Sequence, residues 1–129
     1  MRGKTVAVLG LTFKPNTDDM REAPSLSIIA ALQDAGAVVR AHDPEGTEQA
    51  RAYLRDVTYA QSPYDCAAGA DALVIVTEWD AYRALDLDRI RESLASPTIV
   101  DLRNIYPPED MEQRGFTYIS VGRPNGAAP

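Results

Sequence analysis

The chain has 129 residues, 45% of them hydrophobic and 25% charged, which suits one globular domain and leaves little room for two. Thirteen Lys and Arg against nineteen Asp and Glu give a net charge of −6, so the surface repels nucleic acid and anionic membrane, and any phosphate site must be a local cluster. A single cysteine, Cys66, excludes an internal disulfide framework and a cysteine-based zinc site, and no apolar run reaches the roughly 20 residues of a membrane span.

Met1-Arg2-Gly3-Lys4 leads straight into a strand-like run, with no signal peptide, which points to the cytoplasm. Thr5 to Gly10 is short, apolar and closed by glycine, the pattern of a buried parallel strand. Leu11 to Pro24 is polar and holds Pro15 and Pro24, so it is not one continuous helix. Ser25 to Ala35 carries Leu26, Ile28, Ile29 and Leu32 at helical spacing, and Gly36 stops it. Ala37 to Asp43 is the second strand, Thr47 to Leu54 a helix, and Val57 to Ala60 a short third strand. Ser62 caps the next helix, with Pro63 at its first position. Asp71 to Thr77 is the most apolar strand and therefore the central one. Leu87 to Leu94 is helical, Thr98 to Asp101 is the fifth strand, Pro108 to Arg114 a short helix stopped by Gly115, and Phe116 to Ile119 the sixth strand. Residues 1–122 form the predicted domain; 123–129 end a Gly/Pro/Ala-rich stretch expected to be disordered.

Six strands alternating with helices predict an α/β fold, a doubly wound Rossmann-like three-layer sandwich. Right-handed crossovers favour a six-stranded parallel sheet in the order 3-2-1-4-5-6. Ligands of such sheets sit beyond the strand carboxyl ends where the order reverses, between strands one and four. Function is therefore expected in the segments after Leu9, His42, Thr77 and Asp101.

The loop after the first strand begins Gly10-Leu11-Thr12-Phe13-Lys14-Pro15. A dinucleotide fold carries G-x-G-x-x-G here; this chain has Gly10 alone, with Thr12 and Pro15 two and five residues on. Without those glycines the backbone does not close around a pyrophosphate, so a self-contained NAD site is not expected. The loop offers cations instead. Lys14, one of two lysines, stands beside Phe13: the ammonium suits a phosphate or sugar hydroxyl and the ring a sugar or base, while a solvated lysine and a core phenylalanine fit the pattern too. Arg21 follows Asp18 and Asp19 and precedes Glu22, which suits either a local ion-pair cluster or a guanidinium aimed at a phosphate. Arg103, just past the fifth strand, suits bidentate phosphate binding or a surface ion pair. Asp43 stands where nucleotide-binding sheets place a ribose-holding acid, and with Pro44 after it reads equally as a turn or cap residue. Trp79, the only tryptophan, suits the sheet edge or a stacking role. His42 is the lone histidine, so no His-based triad or multi-His metal site forms within the chain. Cys66, among Ala67, Ala68 and Gly69, reads as a small packed residue rather than a nucleophile. The pairs Asp18/Asp19 and Asp86/Asp88 read as solvated or capping groups, and no complete catalytic constellation is in view.

The run Gly10-Leu11-Thr12-Phe13-Lys14-Pro15-Asn16-Thr17-Asp18-Asp19-Met20-Arg21-Glu22-Ala23-Pro24-Ser25 closely resembles the C-terminal domain of the UDP-glucose/GDP-mannose dehydrogenase family. Three shorter pieces match in register: His42-Asp43-Pro44, Thr77-Glu78-Trp79-Asp80 and Asp101-Leu102-Arg103-Asn104. The resemblance implies the half of a two-domain enzyme that covers a nucleotide sugar. The NAD-binding N-terminal Rossmann domain, the nucleophilic cysteine and a linking helix would lie outside this chain. Within the family, Asn16-Thr17-Asp18-Asp19-Met20 favours members that oxidise UDP-glucose to UDP-glucuronate while reducing two NAD in turn. GDP-mannose and UDP-N-acetyl sugars are the alternative substrates, and a free-standing doubly wound binding module is the alternative of another class. By the resemblance, Phe13, Lys14 and Arg103 contact the UDP-sugar, and Arg21 crosses the cleft to the NAD pyrophosphate. Cys66 does not match the family's cysteine by position or context. No catalytic residue and no metal is expected in this chain, which alone should be inactive. The intact enzyme is expected to be a homo-oligomer joined mainly through the linking helix, and this chain alone a monomer.

Overall fold

A computed structural model describes residues 3–11, 24–44, 47–51, 53–77 and 80–120. Its six strands are β1 (Thr5–Leu9), β2 (Val38–His42), β3 (Val57–Tyr59), β4 (Ala72–Ile75), β5 (Thr98–Asp101) and β6 (Thr117–Ser120). The helices between them are α1 (Pro24–Asp34), α2 (Thr47–Arg51), α3 (Pro63–Ala67), α4 (Asp80–Arg83), α5 (Leu87–Ser93) and α6 (Pro108–Gln113). All five strand pairings are parallel and the order is β3-β2-β1-β4-β5-β6, as the alternation of elements predicts.

The sheet separates two cores by the two-residue period of its strands. Along β1, Val6 and Val8 face one layer and Ala7 and Leu9 the other. The first layer is closed by Ile29 of α1 and Ala50 of α2. The second is closed by Cys66, Tyr82, Ile90 and Met111, one from each of α3, α4, α5 and α6. β1 and β4 are covered on both faces, which is why they read as unbroken apolar runs.

Local signals set most helix starts. The Ser62 Oγ accepts the Asp65 N–H at 3.0 Å, the cap expected from Ser62-Pro63. Asp86 caps α5 likewise, its Oδ1 accepting the Arg89 N–H at 3.2 Å. At the other end of α3, the Arg40 guanidinium reaches in from β2 and donates to the carbonyls of Asp65 and Ala68. Two elements differ from expectation. α2 ends at Arg51 rather than Leu54, because the Ala50 carbonyl takes both the Tyr53 and Leu54 N–H groups in a tightened last turn. The short helix α4 was not anticipated after the strand-end reading of Glu78-Trp79-Asp80. Glu78, Trp79 and the tail 123–129 lie outside the described residues.

Gly10 sits where β1 and β4 diverge, with φ +97. A Cβ added there would lie 2.6 Å from both the Cβ and the backbone N of Thr77. Gly69 also has positive φ, at +73, but a Cβ there would meet nothing within 4 Å. Gly69→Ala should therefore cost roughly 1 kcal/mol of stability, from backbone strain alone. Gly10→Ala should cost on the order of 3 kcal/mol or more, since clash adds to strain. Urea denaturation of the two variants beside the parent measures the difference; equal losses would contradict the packing role of Gly10.

Candidate functional site

The carboxyl ends of β1 and β2 are stitched together by main-chain donors. The Gly10 N–H donates to the His42 carbonyl at 2.8 Å. The Leu11 N–H donates to the Asp43 Oδ2 at 2.7 Å, and the Leu11 carbonyl accepts the Ser25 hydroxyl at 2.6 Å. Leu11, Ser25 and Asp43 are all buried. The stretch between Leu11 and Ser25 is thus bonded across its two ends, against the start of α1. Phe13, Lys14 and Arg21 belong to that stretch and lie outside the described residues, as do Asp18 and Asp19.

The Asp43 carboxylate serves as an acceptor for the turn after β1, in keeping with the turn reading of Asp43-Pro44. The stitching also bears on NAD. In a dinucleotide turn the N–H groups that follow the first strand face the pyrophosphate. Here the Gly10 and Leu11 N–H groups are already bonded to protein, and Gly10 is packed on Thr77. At Gly10 and Leu11 the main-chain donors are therefore committed to protein rather than to a pyrophosphate.

Beyond β2, the Tyr82 hydroxyl donates to the His42 carbonyl at 3.0 Å. The same hydroxyl lies 2.9 Å from the His42 Nδ1, which therefore carries the proton and donates back, leaving Nε2 as the acceptor. Burial lowers the affinity of His42 for a second proton, with the Asp43 charge opposing. The Tyr106 hydroxyl donates in turn to the Tyr82 carbonyl. Burial pushes the ionisation of both tyrosines upward, so they stay neutral donors.

At the end of β5 the fully buried Asp101 organises the next loop. Its Oδ1 accepts the Arg103 N–H at 2.9 Å and its Oδ2 the Ile105 N–H at 2.8 Å. Asn104 between them takes φ +57, a left-handed conformation that asparagine tolerates. The Tyr118 hydroxyl of β6 adds a bond to Oδ2 at 2.5 Å. Arg103 is carried on this loop with its side chain exposed. It is the one predicted ligand residue among the described residues, and it stands at a strand carboxyl end, as expected.

A cleft of about 480 Å³ opens beyond β2 and β3, lined by His42, Asp43, Thr47, Arg51, Tyr59 and Gln61 among others. The Arg51 guanidinium lies 4.6 Å from the Tyr59 ring and 3.3 Å from Glu48. Cys66 is buried with its sulfur 3.4 Å from the Arg40 carbonyl, and burial pushes its thiol up to about 12, so it stays protonated at neutral pH. Among the described residues no group of three or more His, Cys, Asp and Glu could hold a metal, and no helix is long and apolar enough to cross a membrane. Reading the sequence missed Ser25, Tyr82, Tyr106 and Tyr118. The available signal was that a hydroxyl carried into an apolar layer needs a buried partner.

The depressed His42 predicts an acid-side loss of stability. Unfolded, the imidazole titrates at its ordinary 6.5; folded, it titrates lower. Between the two values the unfolded chain holds the proton and the folded chain does not. The contribution of this group is therefore complete above 6.5 and falls away as pH drops below it. The urea midpoint should decline from pH 7 toward 5, with a shallower slope in His42→Asn; equal slopes would exclude His42 as the group responsible.

Comparison with known proteins agrees with this geometry. The model of the UDP-glucose/GDP-mannose dehydrogenase family, UDP binding domain, matches residues 7–108. UDP-glucose 6-dehydrogenase of Rhizobium meliloti (strain 1021) is 54% identical over 125 residues, covering 97% of this chain and 29% of that protein. Among solved structures, the NDP-N-acetyl-D-galactosaminuronic acid dehydrogenase of Methanosarcina mazei Go1 superposes with a TM-score of 0.83 at 31% identity, over 96% of this chain and 26% of that one. A UDP-glucose dehydrogenase from Pyrobaculum islandicum gives 0.69 at 40% identity, over 78% and 22%. The chain spans less than a third of the length of the curated relatives it matches. With a match running from within β1 to the start of α6 over an unbroken 3-2-1-4-5-6 sheet, the chain belongs to the UDP-glucose/GDP-mannose dehydrogenase family, as its UDP-binding domain.

Proposed function

We propose that this chain is the nucleotide-sugar-binding, C-terminal domain of an NAD-dependent UDP-glucose 6-dehydrogenase, acting in the cytoplasm. The observation that carries the reading is the 54% identity to a UDP-glucose 6-dehydrogenase along nearly the whole chain. The reaction converts the C6 alcohol of UDP-glucose to the carboxylate of UDP-glucuronate. NAD, held mainly by the N-terminal domain, supplies the hydride acceptor, and that domain supplies the nucleophilic cysteine.

The work of this chain is binding and orientation. Arg103 offers a rigid planar fork to a phosphate. Lys14 adds a point charge, and Phe13 an apolar wall for the nucleotide sugar. Arg21 reaches the NAD pyrophosphate across the cleft between domains. A net charge of −6 means that these few cations, not the general surface, select the anion. Alone, the chain presents half a site open to water, where each ionic contact is weaker than in a closed cleft. The intact enzyme is a homo-oligomer and this chain alone a monomer.

Calorimetric titration tests the assignment. The chain should bind UDP and UDP-glucose weakly, prefer them to GDP, and reduce no NAD. The double variant Lys14→Ala/Arg103→Ala should weaken UDP binding by roughly tenfold or more, the scale of one or two charged hydrogen bonds. Unchanged binding in that variant would remove both residues from the site, and a preference for GDP would move the chain to another branch of the family.

A further inference from the structure

We propose that Tyr118 is a positioning residue for Arg103, acting through the buried carboxylate of Asp101; this rests on the UDP-binding role of Arg103 proposed above. Asp101 is inaccessible to solvent. A carboxylate so placed keeps its orientation only while its oxygens are bonded. Two of its bonds come from the loop that it organises, the N–H groups of Arg103 and Ile105. Those donors follow the carboxylate and do not fix its orientation against the sheet. The Tyr118 hydroxyl does. It arrives from β6, seventeen residues away, and closes on Oδ2 at 2.5 Å.

That hydroxyl also lies 3.1 Å from the Tyr106 carbonyl, at the far end of the same loop. One hydroxyl thus stands between the carboxylate that starts the turn and the carbonyl that ends it. β6 pairs with β5 in register, Ser120 opposite Asp101 and Tyr118 opposite Ile99, so the ring is held by the sheet itself. The order of constraint runs from β6 to the Tyr118 hydroxyl, to the Asp101 carboxylate, to the Arg103 and Ile105 amides, and so to the direction of the Arg103 side chain. Tyr118 is buried and acts on Arg103 without an exposed surface of its own. Groups that lock the supports of a ligand-binding residue are felt in affinity through that residue alone.

The test is a titration of the chain with UDP followed by NMR, on the parent, Tyr118→Phe, Arg103→Ala and the double variant. Tyr118→Phe keeps the buried ring and removes the hydroxyl. It should weaken UDP roughly three- to tenfold, the scale of one hydrogen bond to a charged group. In the Arg103→Ala background the same change should have no effect on UDP, because nothing remains to be aimed. Amide exchange at Arg103 and Ile105 should also quicken in Tyr118→Phe. A second variant, Asp101→Asn, keeps the shape, weakens the acceptor, and should act in the same direction. Loss of thermal stability with unchanged UDP affinity, or an equal loss in both backgrounds, would overturn the positioning role and leave the Arg103 contact standing. Arg103→Ala with unchanged UDP affinity would remove Arg103 from the site and this inference with it, while no UDP-dependent shifts in the parent would overturn the UDP reading and this inference together. Unchanged amide exchange in Tyr118→Phe would sink the inference whatever UDP does.

Discussion

The contact of Gly10 with Thr77 is the constraint on which the carboxyl edge of the sheet depends. Any side chain at position 10 would occupy the space of the Thr77 backbone and side chain. With hydrogen there instead, β1 and β4 stay paired to their last residues, Leu9 opposite Ile75. The chain then turns so that the Gly10 and Leu11 N–H groups point toward β2, where the His42 carbonyl and the Asp43 carboxylate take them. A glycine at this place in a dinucleotide fold opens room for a phosphate. Here the same freedom lets protein pack on protein, Gly10 against Thr77.

Two buried aspartates repeat one device on either side of that point. Asp43 follows β2 and holds the turn after β1; Asp101 ends β5 and holds the turn after itself. Asp43 accepts the Leu11 N–H, and Asp101 those of Arg103 and Ile105, charge-assisted bonds stronger than neutral ones. Such carboxylates fix loop direction where a hydrophobic contact would fix only proximity. Around them the tyrosines of α4, β6 and the loop after β5 supply hydroxyls within an otherwise apolar layer. The carboxyl edge of the sheet is therefore held by hydrogen bonds, and the body beneath it by burial.

The fold was legible because its signals are local and repeated. Short apolar runs marked the strands, the first two closed by Gly10 and by Asp43-Pro44, and Ser62-Pro63 marked a helix start to the residue. Strand order followed from connection handedness, not from any residue. The candidate site was legible in part. Arg103 was read from its place after β5, where the structure has it; the candidates Phe13, Lys14 and Arg21 came from the resemblance and lie outside the described residues. Asp43 carried two readings because an aspartate before a proline looks alike as a ribose holder and as a loop anchor; the bond from the Leu11 N–H, which shows the anchoring, joins residues 32 apart in sequence. Tyr118 signalled only that its hydroxyl needs a buried partner; which one was not legible, since Asp101 is remote in sequence and the pairing exists only once β6 lies beside β5.

The bond between Leu11 and Ser25 joins residues fourteen apart and makes the stretch between them a closed ring of chain. The entropy of bringing two chain ends together grows only as the logarithm of the ring's length, so adding two or three residues changes it by about a few tenths of a kcal/mol. That term is settled when the domain folds, before any ligand arrives. In loop-closure entropy, the length of that segment is therefore nearly free. The fixed positions are Leu11 and Ser25, the two residues where the ring is tied.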